Sequence, residues 1–174
     1  MGLVPLRRDG DRLSFAAPPL ERGAAPAEPL AGVLAALGLT DAQVVRSQLL
    51  VNGPEWLAIE VADVDTVLGL DPDHVALAEL PLTGVLGRYP AGSECAIEVR
   101  GLAASVGIRE DPVTGSLQAS LAQWLIGEGV LPERYVAAQG TCLGRIGRAH
   151  LEAVDGQVWV GGGTHTLIAG TVEL

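Results

Sequence analysis

An apolar stretch runs from Leu117 to Ile126, where only Gln118, Ser120 and Gln123 are polar. A helix formed by this stretch has apolar residues on nearly every side. Helices of that kind are buried all round, whereas surface helices keep one polar face. The pattern therefore predicts a central buried helix over residues 117–126.

The rest of the chain gathers apolar residues in short runs between turn signals, which is typical of β-strands. The dipeptides Asp9-Gly10, Asn52-Gly53 and Asp155-Gly156 predict hairpin turns. Two short helices are predicted over residues 30–37 and 63–70. The predicted strands cover residues 3–6, 12–16, 44–51, 56–61, 75–80, 84–86, 95–102, 135–138, 148–154, 157–160 and 164–168.

Many short strands with one apolar helix predict an α+β fold. In this fold a barrel-like, mainly antiparallel sheet curls around the central buried helix. Residues 23–29 are rich in Gly, Ala and Pro, and together with Pro18-Pro19 they favour a linker. We expect a hairpin before this linker and one compact domain after it.

The composition and charge of the chain limit the kinds of molecule that it can bind. Hydrophobic residues make up 48% of the 174 residues, and the formal net charge is −10. All 11 basic residues are arginines, and they are scattered along the chain. An acidic chain without a basic cluster is a poor binder of nucleic acid or acidic membranes. Because the sequence shows neither a membrane span nor a signal peptide, we expect a cytoplasmic protein.

The cysteines and histidines do not have the spacing of a metal site. Cys95 and Cys142 are expected to be buried or half-buried thiols rather than a disulfide bridge or a zinc site. His74, His150 and His165 are expected to be surface or strand residues. We therefore predict no metal ion.

The candidate chemistry lies in the heptapeptide Glu110-Asp111-Pro112-Val113-Thr114-Gly115-Ser116, just before the apolar helix. Pro112 keeps Asp111 out of the helical region, and the residues after it favour helix entry. Asp111 is thus placed beside free backbone N–H groups, which bind a carboxylate or another anion. A carboxyl group in that position suits proton transfer. On these residues alone a second interpretation stays open, in which Asp111 and Thr114 only cap the helix and Glu110 is a solvated loop charge.

The heptapeptide, the apolar helix and the pieces Gln139-Gly140 and Gly144-Arg145 resemble the C-terminal half of the PhzF family, the phenazine biosynthesis-like isomerases. The resemblance implies a diaminopimelate epimerase-like fold, with two domains that face each other across a cleft. It also implies that residues 1–29 are the end of the N-terminal domain and residues 30–174 the C-terminal domain. Gln139 and Arg145 are either ligand-binding residues or polar loop residues.

The resemblance implies a cofactor-independent isomerase that shifts a proton on a small carboxylate, which we expect to be cyclic. Asp111 matches the catalytic aspartate of the family, and Thr114, Gly115 and Ser116 match its substrate-binding turn. The family's base is a glutamate of the N-terminal domain, which this chain lacks. The chain also has Leu117-Gln118 where many members have Ala-His.

Two hypotheses follow from the missing base. In the first, the chain is completed by a separate N-terminal half or by a second copy of itself in a homodimer. In the second, it is a non-catalytic relic, or a small-carboxylate-binding or interaction module with the same fold.

Overall fold

The computed structural model describes residues 3–171 and 173, which form eleven strands and four helices. The strands are β1 Leu6–Asp9, β2 Arg12–Ala16, β3 Glu21–Gly23, β4 Val44–Val51, β5 Glu55–Val61, β6 Leu82–Arg88, β7 Ile97–Ala103, β8 Ile108–Asp111, β9 Arg134–Gln139, β10 Gly147–Val154 and β11 Gln157–Gly163. The helices are α1 Ala27–Leu37, α2 Val64–Leu68, α3 His74–Leu77 and α4 Gly115–Gly127. None of these described helices is long and apolar enough to cross a membrane.

All eleven strands belong to one sheet, in the order β1-β2-β11-β10-β9-β7-β6-β5-β4-β3, with β8 paired to β7 beside this path. The pairs β5–β6 and β7–β9 are parallel, and the other pairs are antiparallel. The predicted α+β class with a mainly antiparallel sheet is therefore confirmed. Within the described residues no pairing joins β1 to β3, so the predicted closure of the sheet into a barrel is not shown.

Two hydrophobic cores lie on opposite faces of the middle strands. On one face α4 shares a core with Trp56 and Ala58 of β5. On the other face α1 and α2 share a core with Leu57 and Ile59 of the same strand. Successive side chains of a strand point to opposite faces, so burial on both sides explains why β5 is apolar almost throughout.

The predicted buried helix is confirmed as α4. From Leu117 to Leu125 only Gln123 is not fully buried. Gly84 of β6 lets the helix come this close to the sheet, because a Cβ at that position would overlap the Leu117 side chain. The position of α4 at the centre of a closed barrel is not shown, since the sheet path has two free ends.

Some predicted strands are wrong. Residues 75–80 do not form a strand, because the Asp73 carboxylate accepts from the N–H groups of Val75 and Ala76 and starts α3 there. Residues 164–168 have no regular structure. The short strands β3 and β8 were not predicted, since their residues are mostly polar and too few to show a period.

The N-terminal hairpin is continuous with the rest of the sheet. β2 pairs with β11, with Ser14 opposite Gly161, and β3 pairs with β4. The predicted boundary between residues 29 and 30 lies within α1. Thus α1 occupies part of the segment that was expected to be a linker.

Candidate functional site

The heptapeptide forms the junction between β8 and α4. β8 ends at Asp111 and α4 begins at Gly115. Thr114 is the N-cap residue of α4, yet its side chain makes no capping hydrogen bond. The Thr114 hydroxyl instead donates to Asp111 Oδ2 at 2.8 Å. The interpretation of these two side chains as caps is therefore wrong, and Asp111 is oriented by its neighbour.

The fully buried Gln139, the last residue of β9, holds this junction. Its Oε1 accepts from the Thr114 backbone N–H at 3.1 Å and from Gln118 Nε2 at 2.9 Å. Its Nε2 donates to the Asp111 carbonyl oxygen at 2.9 Å and to Thr114 Oγ1 at 2.8 Å. Gln139 is thus not a polar loop residue. The sequence signal that points to this role is a lone amide at the end of an apolar strand.

The first turn of α4 is shaped by residues that are distant in the sequence. Trp56 Nε1 donates to Ser116 Oγ at 3.1 Å, and Asn52 Nδ2 donates to the Ser116 carbonyl oxygen at 2.9 Å. The Phe15 ring packs against the same turn, because a Cβ added to Gly115 would lie only 3.3 Å from it. The sequence pattern does not predict Asn52, Trp56 or Phe15 at this site, because only the sheet brings them to the helix.

The electrostatics of this turn favour an anion. The first N–H groups of a helix have no intrahelical acceptor, and Thr114 does not cap them. The Ser116 hydroxyl already accepts from Trp56, so it can give its own proton to a ligand oxygen. The junction therefore offers backbone and hydroxyl donors on one side and the Asp111 carboxyl group on the other.

Glu110, the chain neighbour of Asp111, is not a solvated loop charge. It is buried and accepts from Arg100 Nε at 3.2 Å and from Arg100 Nη2 at 2.7 Å. Arg100 also donates to the Leu70 carbonyl oxygen at 2.7 Å. The expectation of solvation is wrong because β8 pairs with β7, which brings Glu110 beside Arg100.

Two further buried glutamates lie outside the junction. Glu60 pairs with Arg46 Nε at 2.8 Å and with Arg88 Nε at 2.7 Å. Glu98 accepts from the Tyr89 hydroxyl at 2.8 Å. Each buried glutamate of the described residues therefore has a fixed partner.

The thiols and histidines do not form a cluster within the part of the chain that the structure describes. Cys95 and Cys142 are free, as predicted, and Cys95 is buried, whereas Cys142 is exposed, contrary to the expectation. Desolvation raises the pKa of both thiols. Burial, and then the charge of Arg12, lowers the pKa of His150 on β10. Within residues 3–171 and 173, no group of three or more His, Cys, Asp and Glu could hold a metal ion.

Three exposed apolar side chains lie on the heptapeptide and on the segment between β9 and β10. Val113 is 44% exposed, Leu143 43% and Ile146 84%. A Cβ at Gly147 would overlap the Val113 side chain, so the backbone that follows Ile146 lies close to Val113. Leu143 lies in the turn between β9 and β10. We call Val113, Leu143 and Ile146 the rim patch.

A large cleft formed by the described residues lies elsewhere. It has a volume of about 910 Å³ and lies between the β1–β2 hairpin and the segment that joins β6 to β7. Five arginines line it, namely Arg7, Arg8, Arg12, Arg88 and Arg134. No residue of the heptapeptide lines this cleft, so its volume does not define the candidate site.

The chain is similar to isomerases in sequence and to PhzF proteins in fold. It is 33% identical over 177 residues to an uncharacterized isomerase of Pseudomonas aeruginosa, covering 99% of this chain and 62% of that relative. A crystal structure of the Bacillus anthracis phenazine biosynthesis protein of the PhzF family matches 91% of this chain and 60% of its own, with a TM-score of 0.74 and 12% identity. A predicted epimerase from Pseudomonas aeruginosa matches 95% of this chain and 63% of its own, with a TM-score of 0.68 and 22% identity.

The two structural matches concern the fold alone, because their identities are low. The chain spans less than two thirds of the length of each of these three proteins. Residues 2–171 match the profile of the family described as PhzC-PhzF, phenazine biosynthesis-like protein. With the heptapeptide set at the junction of β8 and α4, this match shows that the chain belongs to the PhzC-PhzF family of phenazine biosynthesis-like proteins.

Proposed function

We propose that the chain carries the substrate-binding and proton-transfer part of a cofactor-independent isomerase that acts on a small cyclic carboxylate. The observation that carries the proposal is the Asp111 carboxyl group, held by the Thr114 hydroxyl beside the first turn of a buried helix. The substrate carboxylate binds the N–H groups of Gly115 and Ser116 together with the Ser116 hydroxyl. Asp111 exchanges a proton with a carbon of the same molecule.

The interactions available at this turn are sufficient for a weak anion site. A charge at a helix N-terminus gains about 0.3–1 kcal/mol when exposed and up to about 2 kcal/mol when partly buried. A hydrogen bond to a charged group contributes about 1.5–3 kcal/mol. The Ser116 hydroxyl, free to donate, therefore supplies as much of the affinity as the helix end.

A proton shift between two carbons also needs a base, and we propose that a second domain or subunit supplies it. The three buried glutamates Glu60, Glu98 and Glu110 are all held by partners. The isomerase relative continues beyond the part that this chain covers. The base therefore comes from a second, N-terminal domain or from another copy of the chain in a homodimer, and the rim patch is the surface that this second domain or subunit covers.

A second candidate function is a carboxylate-binding module without catalysis. It is supported by Gln118, whose Nε2 donates to Gln139 and whose Oε1 is buried without a partner. An amide at this position cannot exchange a proton in the way that an imidazole does. In this alternative the fold and the anion site persist while the reaction is lost.

The first test is ligand binding by the chain alone. We expect weak binding of benzoate and cyclohexanecarboxylate in isothermal titration calorimetry. Ser116→Ala should weaken it about tenfold or more, since one hydrogen bond to a charged group is lost. Ser14→Ala is the matched control, because Ser14 lies on β2. The carboxylate affinity of this variant should equal that of the wild type. Absence of any carboxylate binding at high protein concentration would contradict the proposal.

The second test separates the two candidate functions. The chain is co-expressed with the part of the Pseudomonas aeruginosa relative that it does not cover, and deuterium uptake from solvent into a panel of cyclic carboxylates is followed. An isomerase exchanges deuterium in this complex and loses exchange with Asp111→Asn. Asp71→Asn, which changes the other Asp-Pro dipeptide, should leave the exchange intact. Carboxylate binding without exchange would favour the non-catalytic module.

A further inference from the structure

Only one arrangement of protons satisfies all the hydrogen bonds around Gln139. The Thr114 backbone N–H is a donor only, so it faces Gln139 Oε1. The Asp111 carbonyl oxygen is an acceptor only, so it faces Gln139 Nε2. These two backbone groups fix which end of the Gln139 amide is oxygen and which is nitrogen.

The fixed amide then sets the direction of the next hydrogen bond. Gln139 Nε2 has only protons to offer, so Thr114 Oγ1 must accept from it, at 2.8 Å. The single hydroxyl proton of Thr114 is left for Asp111 Oδ2, also at 2.8 Å. Thr114 is buried, and the described residues offer this proton no other acceptor. Oδ2 of Asp111 is therefore an acceptor in either charge state of the carboxyl group.

The two oxygens of Asp111 differ in their surroundings. Oδ2 is occupied by the Thr114 hydroxyl. Oδ1 makes no hydrogen bond to any described residue, and it is not among the buried atoms that lack a partner. It therefore faces solvent at the mouth of the junction, where a ligand would lie.

We propose that Gln139 is a positioning residue that makes Asp111 exchange its proton through Oδ1. This inference rests on the proposed function, in which Asp111 is the group that exchanges a proton with the substrate. In the step, Oδ1 gives or takes one proton, and Asp111 passes between carboxylic acid and carboxylate. The Thr114 hydroxyl proton stays on Oγ1, and no bond of Gln139 changes.

The test uses the ligand-free chain and detects whether the Thr114 hydroxyl donates a hydrogen bond to Asp111. A hydroxyl that donates to a carboxylate produces a hydrogen/deuterium isotope effect on the 13C shift of the Asp111 carboxyl carbon between H2O and D2O. We expect this effect in the wild type and in Thr114→Ser, and its loss in Thr114→Val. We also expect its loss in Gln139→Glu at neutral pH, because the new carboxylate accepts the Thr114 proton and draws it away from Asp111.

A merely structural role of Gln139 gives a different result. In that case Gln139→Glu lowers the thermal midpoint while the isotope effect persists, and this outcome overturns the proposal. If Gln139→Glu does not fold, the pair Thr114→Val and Thr114→Ser decides. Persistence of the effect in Thr114→Val overturns the proposal, and its loss in that variant alone supports it.

The role of Gln139 and the proposed function are tested by two different measurements. The isotope effect is measured without ligand, whereas benzoate binding is measured by titration of the same samples. A wild type that shows the isotope effect but binds no carboxylate contradicts the proposed function. A wild type that binds benzoate but lacks the effect contradicts the role of Gln139.

Discussion

Two acidic residues that are neighbours in the chain have opposite environments at the end of β8. Glu110 is buried against Arg100, and Asp111 reaches the junction and accepts from Thr114. Strand geometry explains the difference, because successive side chains point to opposite faces. Only one carboxylate of the pair, that of Asp111, is thus available for chemistry.

A prediction at the residue scale concerns Tyr89. Burial, and then its hydrogen bond to Glu98, raises the pKa of Tyr89 to about 12 from an ordinary value of 10.0. Burial also raises the pKa of Tyr135, the other tyrosine of the chain. We expect the ultraviolet absorbance of tyrosinate to stay flat through pH 10.0 and to rise only towards pH 12.

The sign of the stability effect follows from the raised pKa. The folded state holds the Tyr89 proton more tightly than the unfolded state, so the stabilisation is complete below pH 10.0 and is lost as the pH rises through about 12. Urea midpoints measured across this range should fall with pH. The fall should be smaller in Tyr89→Phe, which keeps the ring without the titrating hydroxyl. An equal fall in both proteins would show that Tyr89 is not the group responsible.

At the scale of elements, the close approach of α4 to β6 depends on one glycine. A Cβ on Gly84 would overlap the Leu117 side chain, whereas a Cβ on Gly127, at the end of the same helix, meets nothing within 4 Å. Leu117 is fully buried, so its side chain has little room to move away.

The matched pair Gly84→Ala and Gly127→Ala tests this packing. Gly84→Ala should lower the free energy of unfolding by about 1–3 kcal/mol through overpacking. Gly127→Ala should be neutral or stabilise by about 0.5–1 kcal/mol, because alanine is the better helix former. Urea denaturation measures both, and equal effects in the two variants would argue against a tight contact at Gly84.

Sequence patterns predicted the elements whose signal is local. The apolar run predicted α4, and the heptapeptide placed Asp111 before it, because both signals lie within consecutive residues. The pattern failed at residues 75–80, where a single cap at Asp73 outweighs the apolar run and gives α3. The partners Arg100 and Gln139 could not be predicted, because strand pairing brings them to the heptapeptide from 10 and 28 residues away.

At the scale of the whole molecule, the rim patch gives a prediction about assembly. Ile146 is 84% exposed beside the candidate site, and exposed apolar clusters mark interaction surfaces. We expect light scattering to show a dimer, or a complex with a separate N-terminal half, and we expect Ile146→Asp to dissociate it. Val154→Asp, at the other end of β10, is the control that should leave assembly unchanged. A monomer at high concentration in the absence of the N-terminal half would exclude the homodimer.

The pairing of β2 with β11 has a consequence for the route by which the chain folds. Ser14 lies opposite Gly161, so this ladder joins residues that are separated by almost the whole chain. Closing so long a loop costs conformational entropy before any contact of the ladder compensates for it. The parallel pairs β5–β6 and β7–β9 also require crossovers to form first. Refolding should therefore be slow and should end with the docking of the N-terminal hairpin, which leaves the edge of β11 open to other chains until that last step.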